Sequence, residues 1–290
     1  MVYISEKYKN PLIIACIASF LVLFIILGVV VWNDMDKSLS YADQKDEEVV
    51  KTIEPVFTRA DDEYFAGKKL VAITFDDGPG YDVTESLIDQ LDKRDAKVTF
   101  FMVGNRVQKQ PNLVKRIFDA GHTIGNHSYS HKSFNKQKPE GYLYEINTTN
   151  QLIKDITGQD VIYVRPPYGS YKKSTLENVN MNFVLWSIDT LDWKTRNAEM
   201  IYNEIINNVE DGDIVLMHDL YPTTVEAAIR AIDYLLENGY AVVSLDEMYR
   251  LRGTTPEMHA SIRHMKLPEP EVPETQPEEN GQDIEKETSN

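Results

Sequence analysis

Five short polar clusters in the sequence contain carboxylates, imidazoles and a guanidinium, which are the groups that bind metal ions and move protons. His127 and His131 are four residues apart, and on a helical turn this spacing places both imidazoles on one face, within reach of one metal ion. A pair of histidines on a solvated turn is the alternative. The clusters are Asp76-Asp77-Gly78, His127-Ser128-Tyr129-Ser130-His131, Arg165-Pro166-Pro167-Tyr168-Gly169, Asp189-Thr190-Leu191-Asp192-Trp193 and His218-Asp219.

Asp76 and Asp77 are adjacent carboxylates, and such a pair repels unless a cation or an arginine offsets its charge. A metal ion held by two histidines needs a third ligand, often a carboxylate. Because successive strand residues point to opposite sides, one aspartate can bind the metal while the other faces a different partner. The segment Gly78-Pro79-Gly80 then permits a tight turn. An Asp-Asp-Gly turn that only caps a helix is the alternative.

His218 follows the apolar run of residues 214–217, a position where a histidine is either structural or catalytic. Asp192 could orient its imidazole, as carboxylates orient catalytic histidines elsewhere. Arg165 could pair with Asp76 or form an ion pair on the surface. The catalytic interpretations reinforce one another if the fold brings these residues to one edge.

The elements that must position the clusters alternate along the chain. Short β-branched and aromatic runs predict strands, and helical stretches lie between them over about 185 residues. This alternation predicts a parallel α/β fold, either a barrel or an open sheet, in which sites collect at the C-terminal ends of the strands. The predicted strands are 70–75, 98–103, 122–126, 161–165, 183–188, 213–217 and 241–244, and the predicted helices are 83–93, 112–120, 141–157, 174–179, 198–208 and 225–238.

The run of residues 12–32 contains no charged residue and is nearly all aliphatic. A helix over this range would span roughly 30 Å, about one hydrocarbon core of a bilayer. Lys7 and Lys9 precede the run, and Asp34 and Asp36 follow it, so the positive-inside tendency predicts a cytoplasmic N-terminus and an extracellular remainder. A cleaved signal peptide and a buried core helix are the alternatives.

The composition divides the chain further and excludes some classes of protein. The formal net charge is −16, and no basic stripe is visible that would neutralise nucleic-acid phosphates. The only cysteine, Cys16, excludes an intramolecular disulfide and a cysteine-based zinc site. We predict a cytoplasmic N-terminus (1–11), a single-pass transmembrane anchor (12–32), an extracellular stem (33–67), a catalytic domain (68–252) and an acidic, proline-rich disordered tail (253–290).

The clusters, taken in order, resemble the five motifs of a known family. Between about residues 70 and 244 the sequence is similar to the NodB-type polysaccharide deacetylases, also called carbohydrate esterase family 4, and its third motif resembles that of the membrane-anchored peptidoglycan N-acetylglucosamine deacetylases. The motifs are Thr74-Phe75-Asp76-Asp77-Gly78, His127-Ser128-Tyr129-Ser130-His131, Arg165-Pro166-Pro167-Tyr168, Asp189-Thr190-Leu191-Asp192-Trp193 and Leu216-Met217-His218-Asp219. The resemblance implies a distorted (β/α) barrel, which the N-terminal transmembrane helix would precede.

The resemblance also implies roles for the motif residues. Asp77, His127 and His131 would bind a divalent metal, usually zinc, with cobalt or another divalent ion as the alternative. Asp76 would be the general base and His218 the general acid. An amide is a poor electrophile and water a poor nucleophile, and a metal ion corrects both deficiencies.

Further roles carry over from the same motifs. Arg165 would hold the base, and Asp192 would hold the acid. The backbone N–H of Tyr168 would help to bind the oxyanion, while Trp193 and Leu216 would line the acetyl pocket. A fixed donor of this kind stabilises the negative charge that develops on the carbonyl oxygen.

The function implied is metal-dependent hydrolysis of N-acetyl groups from an extracellular polysaccharide, with N-acetylglucosamine residues of peptidoglycan as the expected substrate and acetate as the product. Another surface N-acetylhexosamine polymer, chitin oligomers and acetylated xylan are alternative substrates. Two alternatives come from other classes: a catalytically inactive carbohydrate-binding module, and a stalk or docking protein that uses its acidic tail.

Overall fold

The computed structural model describes residues 62–267 of the 290-residue chain. The predicted N-terminus and anchor, nearly all of the predicted stem and the end of the predicted tail lie outside the described residues. Between residues 62 and 267, no helix is both long enough and apolar enough to cross a membrane.

One sheet of nine strands forms the centre of the described region, and every strand pair in it is parallel. The strands are β1 (Lys69–Asp76), β2 (Thr99–Met102), β3 (Thr123–Asn126), β4 (Tyr163–Val164), β5 (Asn182–Val184), β6 (Ile188–Asp189), β7 (Asp213–His218), β8 (Tyr240–Val242) and β9 (Ser261–Ile262). Their spatial order is β6-β7-β1-β2-β3-β4-β5-β9, and β8 pairs with the first residues of β1.

Helices connect the strands, as expected where parallel strands need crossover connections. The α-helices of the described region are α1 (Tyr81–Leu91), α2 (Gly104–Val107), α3 (Pro111–Asp119), α4 (Pro139–Thr157), α5 (Lys173–Asn178), α6 (Asp192–Thr195), α7 (Ala198–Asn208), α8 (Pro222–Glu237) and α9 (Leu245–Leu251). Proline occupies the first position of α3, α4 and α8, where its missing N–H costs nothing. Gly158 ends α4 in the left-handed conformation, with φ 79°.

The central strand, β1, is buried on both faces, and seven of its eight residues are buried. A strand covered on both sides forms a nearly continuous apolar run, as Leu70 to Phe75 does. Val71 and Ile73 pack in one core cluster with residues of α1, α3, α7 and α8. Leu70 and Ala72, on the opposite face, pack in a second cluster with residues of α9.

The sheet curls into a half-barrel, consistent with the predicted distorted (β/α) barrel. β9 pairs with β5 near one end of the strand order, and His264, just after β9, forms an antiparallel bridge with Asp213 in β7. The N–H of Met265 donates to the carbonyl of Gly212 at 2.7 Å. These bonds link the segment after β9 to the start of β7 and so draw the two ends of the sheet together.

The predicted elements differ from the observed ones in four places. Helix α9 is absent from the predicted helices, although Ser244 and Glu247 form a capping box at its start. The predicted strand 183–188 is divided into β5 and β6. Helices α2 and α6 have only four residues each, which is too short for a helical pattern to be recognised. The domain also extends beyond its predicted boundary at residue 252, because β9 lies inside the predicted tail and adds a strand to the sheet.

Candidate active site

The five polar clusters lie at one edge of the sheet. Because β1, β3, β4, β6 and β7 run parallel, their C-terminal ends meet there. Asp76 and His218, the last residues of β1 and β7, are direct neighbours across the two strands. Helix α9 lies at the opposite edge, where the N–H of Leu245 donates to the hydroxyl of Thr99 at the start of β2. The polar clusters and α9 are therefore at opposite ends of the half-barrel.

Asp77, His127 and His131 form a possible metal site, since their ligand atoms all lie within 4.8 Å of one another. The Oδ1 atom of Asp77 is 3.2 Å from Nε2 of His131 and 3.5 Å from Nε2 of His127. This oxygen is buried but accepts no hydrogen bond from the described residues. A carboxylate oxygen and two imidazole nitrogens directed at a common point are ligands that suit zinc or a related divalent ion.

The imidazole of His127 is held in the tautomer that a metal requires. Its Nδ1 lies 2.7 Å from the carbonyl oxygen of Arg165. A carbonyl only accepts hydrogen bonds, so Nδ1 carries the proton and the lone pair of Nε2 is left for a metal. Burial lowers the pKa of His131, and the neighbouring His127 lowers it further, which favours the neutral imidazole that binds metal.

The four-residue spacing of the two histidines does not come from a helical turn, because residues 127–131 contain no helix. Ser128 and His131 have left-handed backbones, with φ of 63° and 58°. The hydroxyl of Ser128 accepts the N–H of His131 at 2.9 Å. Glu145 of α4 accepts both the N–H and the hydroxyl of Ser130 at 2.6 Å. These bonds fix the bend that turns both imidazoles toward Asp77.

Asp76 is held by Arg165 in a buried ion pair, so the alternative of a surface ion pair does not apply. Nη1 of Arg165 donates to Oδ1 of Asp76 and to the hydroxyl of Thr74, both at 2.7 Å. Nε and Nη2 of the same guanidinium donate to the carbonyls of Val184 and Leu185 at 3.0 and 2.9 Å. Burial lowers the pKa of Arg165, and the charge of Asp76 opposes that effect.

The second carboxylate oxygen of Asp76 faces the possible metal site. Its Oδ2 lies 3.7 Å from Nε2 of His127, while Oδ1 is engaged by the guanidinium. One oxygen is therefore fixed by Arg165, and the other faces the ligand nitrogen of His127.

His218 and Asp192 form the second pair of the site. Nδ1 of His218 lies 2.8 Å from Oδ1 of Asp192, so Nδ1 carries a proton and Nε2 is directed elsewhere. The fully buried Asp192 also accepts the N–H groups of His218 and Trp193 and the hydroxyl of Thr224, at 2.7, 2.8 and 2.8 Å. Burial lowers the pKa of His218, but the hydrogen bond and charge of Asp192 outweigh burial and raise it to about 9. The imidazole is thus charged at neutral pH and can give up a proton.

The three predicted substrate-binding residues surround the two pairs. Tyr168 is 70% exposed, has a left-handed backbone with φ 62°, and places its ring 4.8 Å from the ring of His131. Trp193 is 48% exposed at the start of α6, directly after Asp192. Leu216 is buried on β7, two residues before His218 and hence on the same face of the strand.

Several residues that support the site were not singled out from the sequence. The hydroxyl of Thr74 accepts a hydrogen bond from Arg165. Thr74 lies two residues before Asp76 on the same face of β1, and this spacing could have identified it from the sequence. Thr224 and Glu145 come from helices that are distant in sequence, and no local pattern points to them. Asp219 belonged to a cluster but had no assigned role; it is fully buried, and burial raises its pKa to about 7.

The fold and the site define a class of protein: a parallel half-barrel that presents a two-histidine, one-carboxylate metal site beside a buried aspartate and a charged histidine. The chain belongs to the polysaccharide deacetylase family, whose sequence profile matches residues 65–183. The predicted resemblance to this family is therefore confirmed.

Known proteins of this family show similarity across the catalytic region. The chain is 39% identical over 181 residues to a peptidoglycan-N-acetylglucosamine deacetylase of Listeria monocytogenes, in a match that covers 62% of this chain and 39% of that protein. It is 35% identical over 190 residues to a peptidoglycan-N-acetylglucosamine deacetylase of Bacillus cereus, covering 63% of this chain and 69% of the relative. The chain thus spans less than half of the Listeria protein.

A solved structure shows the same fold with a metal ion. The family 4 acetyl xylan esterase from Clostridium thermocellum, in complex with a cobalt ion, superposes with a TM-score of 0.65 at 35% identity. The match covers 69% of this chain and 100% of the esterase chain.

Proposed function

We propose that this protein is a metal-dependent deacetylase that hydrolyses N-acetyl groups of an extracellular polysaccharide and releases acetate. The observation that carries the proposal is the convergence of Asp77, His127 and His131 beside the Asp76–Arg165 pair. The relatives named as peptidoglycan-N-acetylglucosamine deacetylases support the same activity.

Asp77, His127 and His131 would hold the metal, for which zinc is our first choice and cobalt or another divalent ion the alternative. Bound there, the metal would polarise the acetyl carbonyl as a Lewis acid. Asp76 acts as the general base: its Oδ2 takes a proton from the attacking water. Arg165 keeps Asp76 in place and supplies a positive charge beside it.

His218 acts as the general acid and gives its Nε2 proton to the leaving amine nitrogen. Asp192 keeps the imidazole charged and oriented. The backbone N–H of Tyr168 donates to the carbonyl oxygen as negative charge develops on it. Trp193 and Leu216 line the pocket for the acetyl methyl group.

The substrate that we favour is N-acetylglucosamine in peptidoglycan. The supporting observations are the printed functions of the Listeria and Bacillus cereus relatives. Acetyl xylan is the second candidate, because the superposed Clostridium thermocellum protein is an acetyl xylan esterase. Ester and amide substrates differ in the leaving group, so the need for protonation by His218 is greater for the amide.

We also propose that residues 12–32 anchor the protein in the cell membrane as a single span. The N-terminus would be cytoplasmic, and the catalytic domain would be carried outside on the stem of residues 33–67. The apolar composition and the flanking charges of this segment support the proposal. Protease added to intact cells that express the full chain is expected to cleave the catalytic domain. Full protection until the cells are lysed would contradict this topology.

A substrate panel tests the proposed activity. The purified full chain is incubated with peptidoglycan, N-acetylglucosamine oligomers and acetylated xylan, with chelator and with zinc or cobalt added back. We expect acetate from peptidoglycan, loss of release with chelator and recovery with metal. Release from oligomers or xylan alone would contradict the proposed substrate. No release from any glycan by a metal-loaded protein would favour a carbohydrate-binding module.

A further inference from the structure

Asp219 follows the proposed acid, His218, and takes no part in the reaction described above. Its side chain is fully buried at the end of β7. One of its carboxylate oxygens, Oδ1, accepts no hydrogen bond from any residue between 62 and 267. Burying a carboxyl group with an unpartnered oxygen costs free energy. We therefore expect Asp219 to make another contribution, to the fold or to the site, that offsets this cost.

The turn that follows Asp77 rests directly on Asp219. A Cβ atom added to Gly78 would lie 2.2 Å from Oδ2 and 2.4 Å from Oδ1 of Asp219. A Cβ atom added to Gly80 would lie 2.5 Å from the carbonyl oxygen of Asp219. Gly80 has a φ of −102°, which other residues adopt readily. Close approach to Asp219, rather than an unusual backbone angle, therefore accounts for glycine at this position.

Thr84 of α1 joins the same turn to Asp219. Its hydroxyl accepts the N–H of Gly80 at 2.6 Å and donates to the carboxylate of Asp219. The carbonyl oxygen of Asp219 is also within 3.2 Å of this hydroxyl. One side chain thus connects α1, the turn after β1 and the end of β7.

The turn matters because it begins at Asp77, which has a left-handed backbone with φ 70° and directs Oδ1 at the two histidines. We infer that Asp219 is a positioning residue: it packs against the Asp77–Gly80 turn and thereby sets the orientation of Asp77 as a metal ligand. Asp219 does not bind the metal itself. This inference rests on the metal site of the proposed function.

Zinc affinity measures this role without reference to catalysis. The full-length protein and its variants compete for zinc with a chromophoric chelator. Asp219→Ala removes the support, and zinc binding is expected to weaken by about 10- to 100-fold, as is typical when a group that orients a ligand is lost. Asp219→Asn keeps the size of the side chain and an oxygen that can accept from Thr84, so its affinity should stay close to that of the wild type. Wild-type affinity in Asp219→Ala would overturn the inference.

Asp246 provides a matched control at the other edge of the sheet. It is half-buried and accepts hydrogen bonds from a threonine hydroxyl, that of Thr123, and from the hydroxyl of Tyr163 at 2.8 Å. Asp246→Ala is expected to lower stability while leaving zinc affinity unchanged. An equal loss of zinc affinity in Asp246→Ala and Asp219→Ala would show a general effect of destabilisation and overturn the inference.

Thr84 provides a second test, which also decides the matter if Asp219→Ala does not fold. Thr84→Val removes the hydroxyl that joins the turn to Asp219 and should weaken zinc binding, whereas Thr84→Ser should restore it. Equal zinc affinity in both variants would overturn the inference. Failure of the wild-type protein to bind zinc would be a different result, because it would contradict the proposed metal site itself.

Discussion

Replacing Asp192 with asparagine removes the charge that keeps His218 protonated. The carboxylate is fully buried and lies 2.8 Å from Nδ1 of His218. It raises the pKa of the imidazole to about 9 against the opposing effect of burial. An ordinary histidine has a pKa of about 6.5, and one pKa unit corresponds to about 1.36 kcal/mol. The rise of the pKa from about 6.5 to about 9 therefore means that the site stabilises the charged imidazole by about 3 kcal/mol relative to a histidine in water.

The sign of the pH effect follows from the role of His218 as the acid. In the wild type the imidazole is protonated below about pH 9, so activity is expected to fall as pH rises through that value. In Asp192→Asn burial still lowers the pKa of His218 and the charges of Asp76 and Asp77 still raise it, so without the charge of Asp192 the pKa should fall from about 9 toward its ordinary value. With a pKa of about 6.5, only about a quarter of the imidazole is charged at pH 7, so we expect acetate release there to fall by about fourfold and the loss relative to the wild type to grow toward about 10²-fold near pH 9.

Two measurements check this prediction. NMR titration of the metal-free protein follows the pKa of His218, and the pH profile of acetate release follows the alkaline limb. Asp189→Asn is the control, because Asp189 lies three residues before Asp192, at the end of β6, but accepts the N–H of Leu191 at 2.9 Å, a bond that asparagine can preserve. A His218 pKa that stays near 9 in Asp192→Asn would refute the reasoning, as would an equal decrease in Asp189→Asn.

Three further predictions concern the groups that support the site. Arg165→Met breaks a fully buried ion pair and should lower the free energy of unfolding by about 3–5 kcal/mol in urea titrations; an unchanged value would contradict the assigned burial. Gly78→Ala places a Cβ atom 2.2 Å from Oδ2 of Asp219, so zinc affinity and acetate release should both decrease, and wild-type values would show that the turn is not closely packed. Glu145→Ala leaves the N–H and hydroxyl of Ser130 without their acceptor and should cost about 1–3 kcal/mol in thermal unfolding; no loss would contradict the role of these bonds in the bend.

The sequence predicts the central part of the fold because its strands are buried and bounded by clear breaks. β1 and β7 are apolar runs that end in polar clusters, and such runs are typical of parallel strands covered on both faces. β9 has two residues and depends on its contact with β5, so nothing in its own sequence distinguishes it from a loop. Short elements of this kind are determined by tertiary contacts rather than by local pattern.

The placement of the site was predictable for a related reason. Parallel strands bring their C-terminal ends to one edge, so clusters separated by many residues converge once the strands are assigned. The partners of those clusters were harder to predict. Thr224 reaches Asp192 from α8, and Glu145 reaches the histidine bend from α4, and neither contact leaves a periodic signal in the sequence. The bend itself uses left-handed serine and histidine residues, which the spacing alone does not reveal.

Acetate release by the zinc-loaded Asp76→Asn protein tests the central claim most directly. Asp76 is held in place by Arg165 and directs its free oxygen at the site, so asparagine preserves the shape of the side chain and removes the base. Zinc content and acetate release from peptidoglycan are measured side by side in the wild type and the variant. We predict equal zinc content and at least about a 10²-fold loss of acetate release. Full acetate release by the zinc-loaded variant would contradict the assignment of Asp76 as the base and with it the mechanism proposed for this protein.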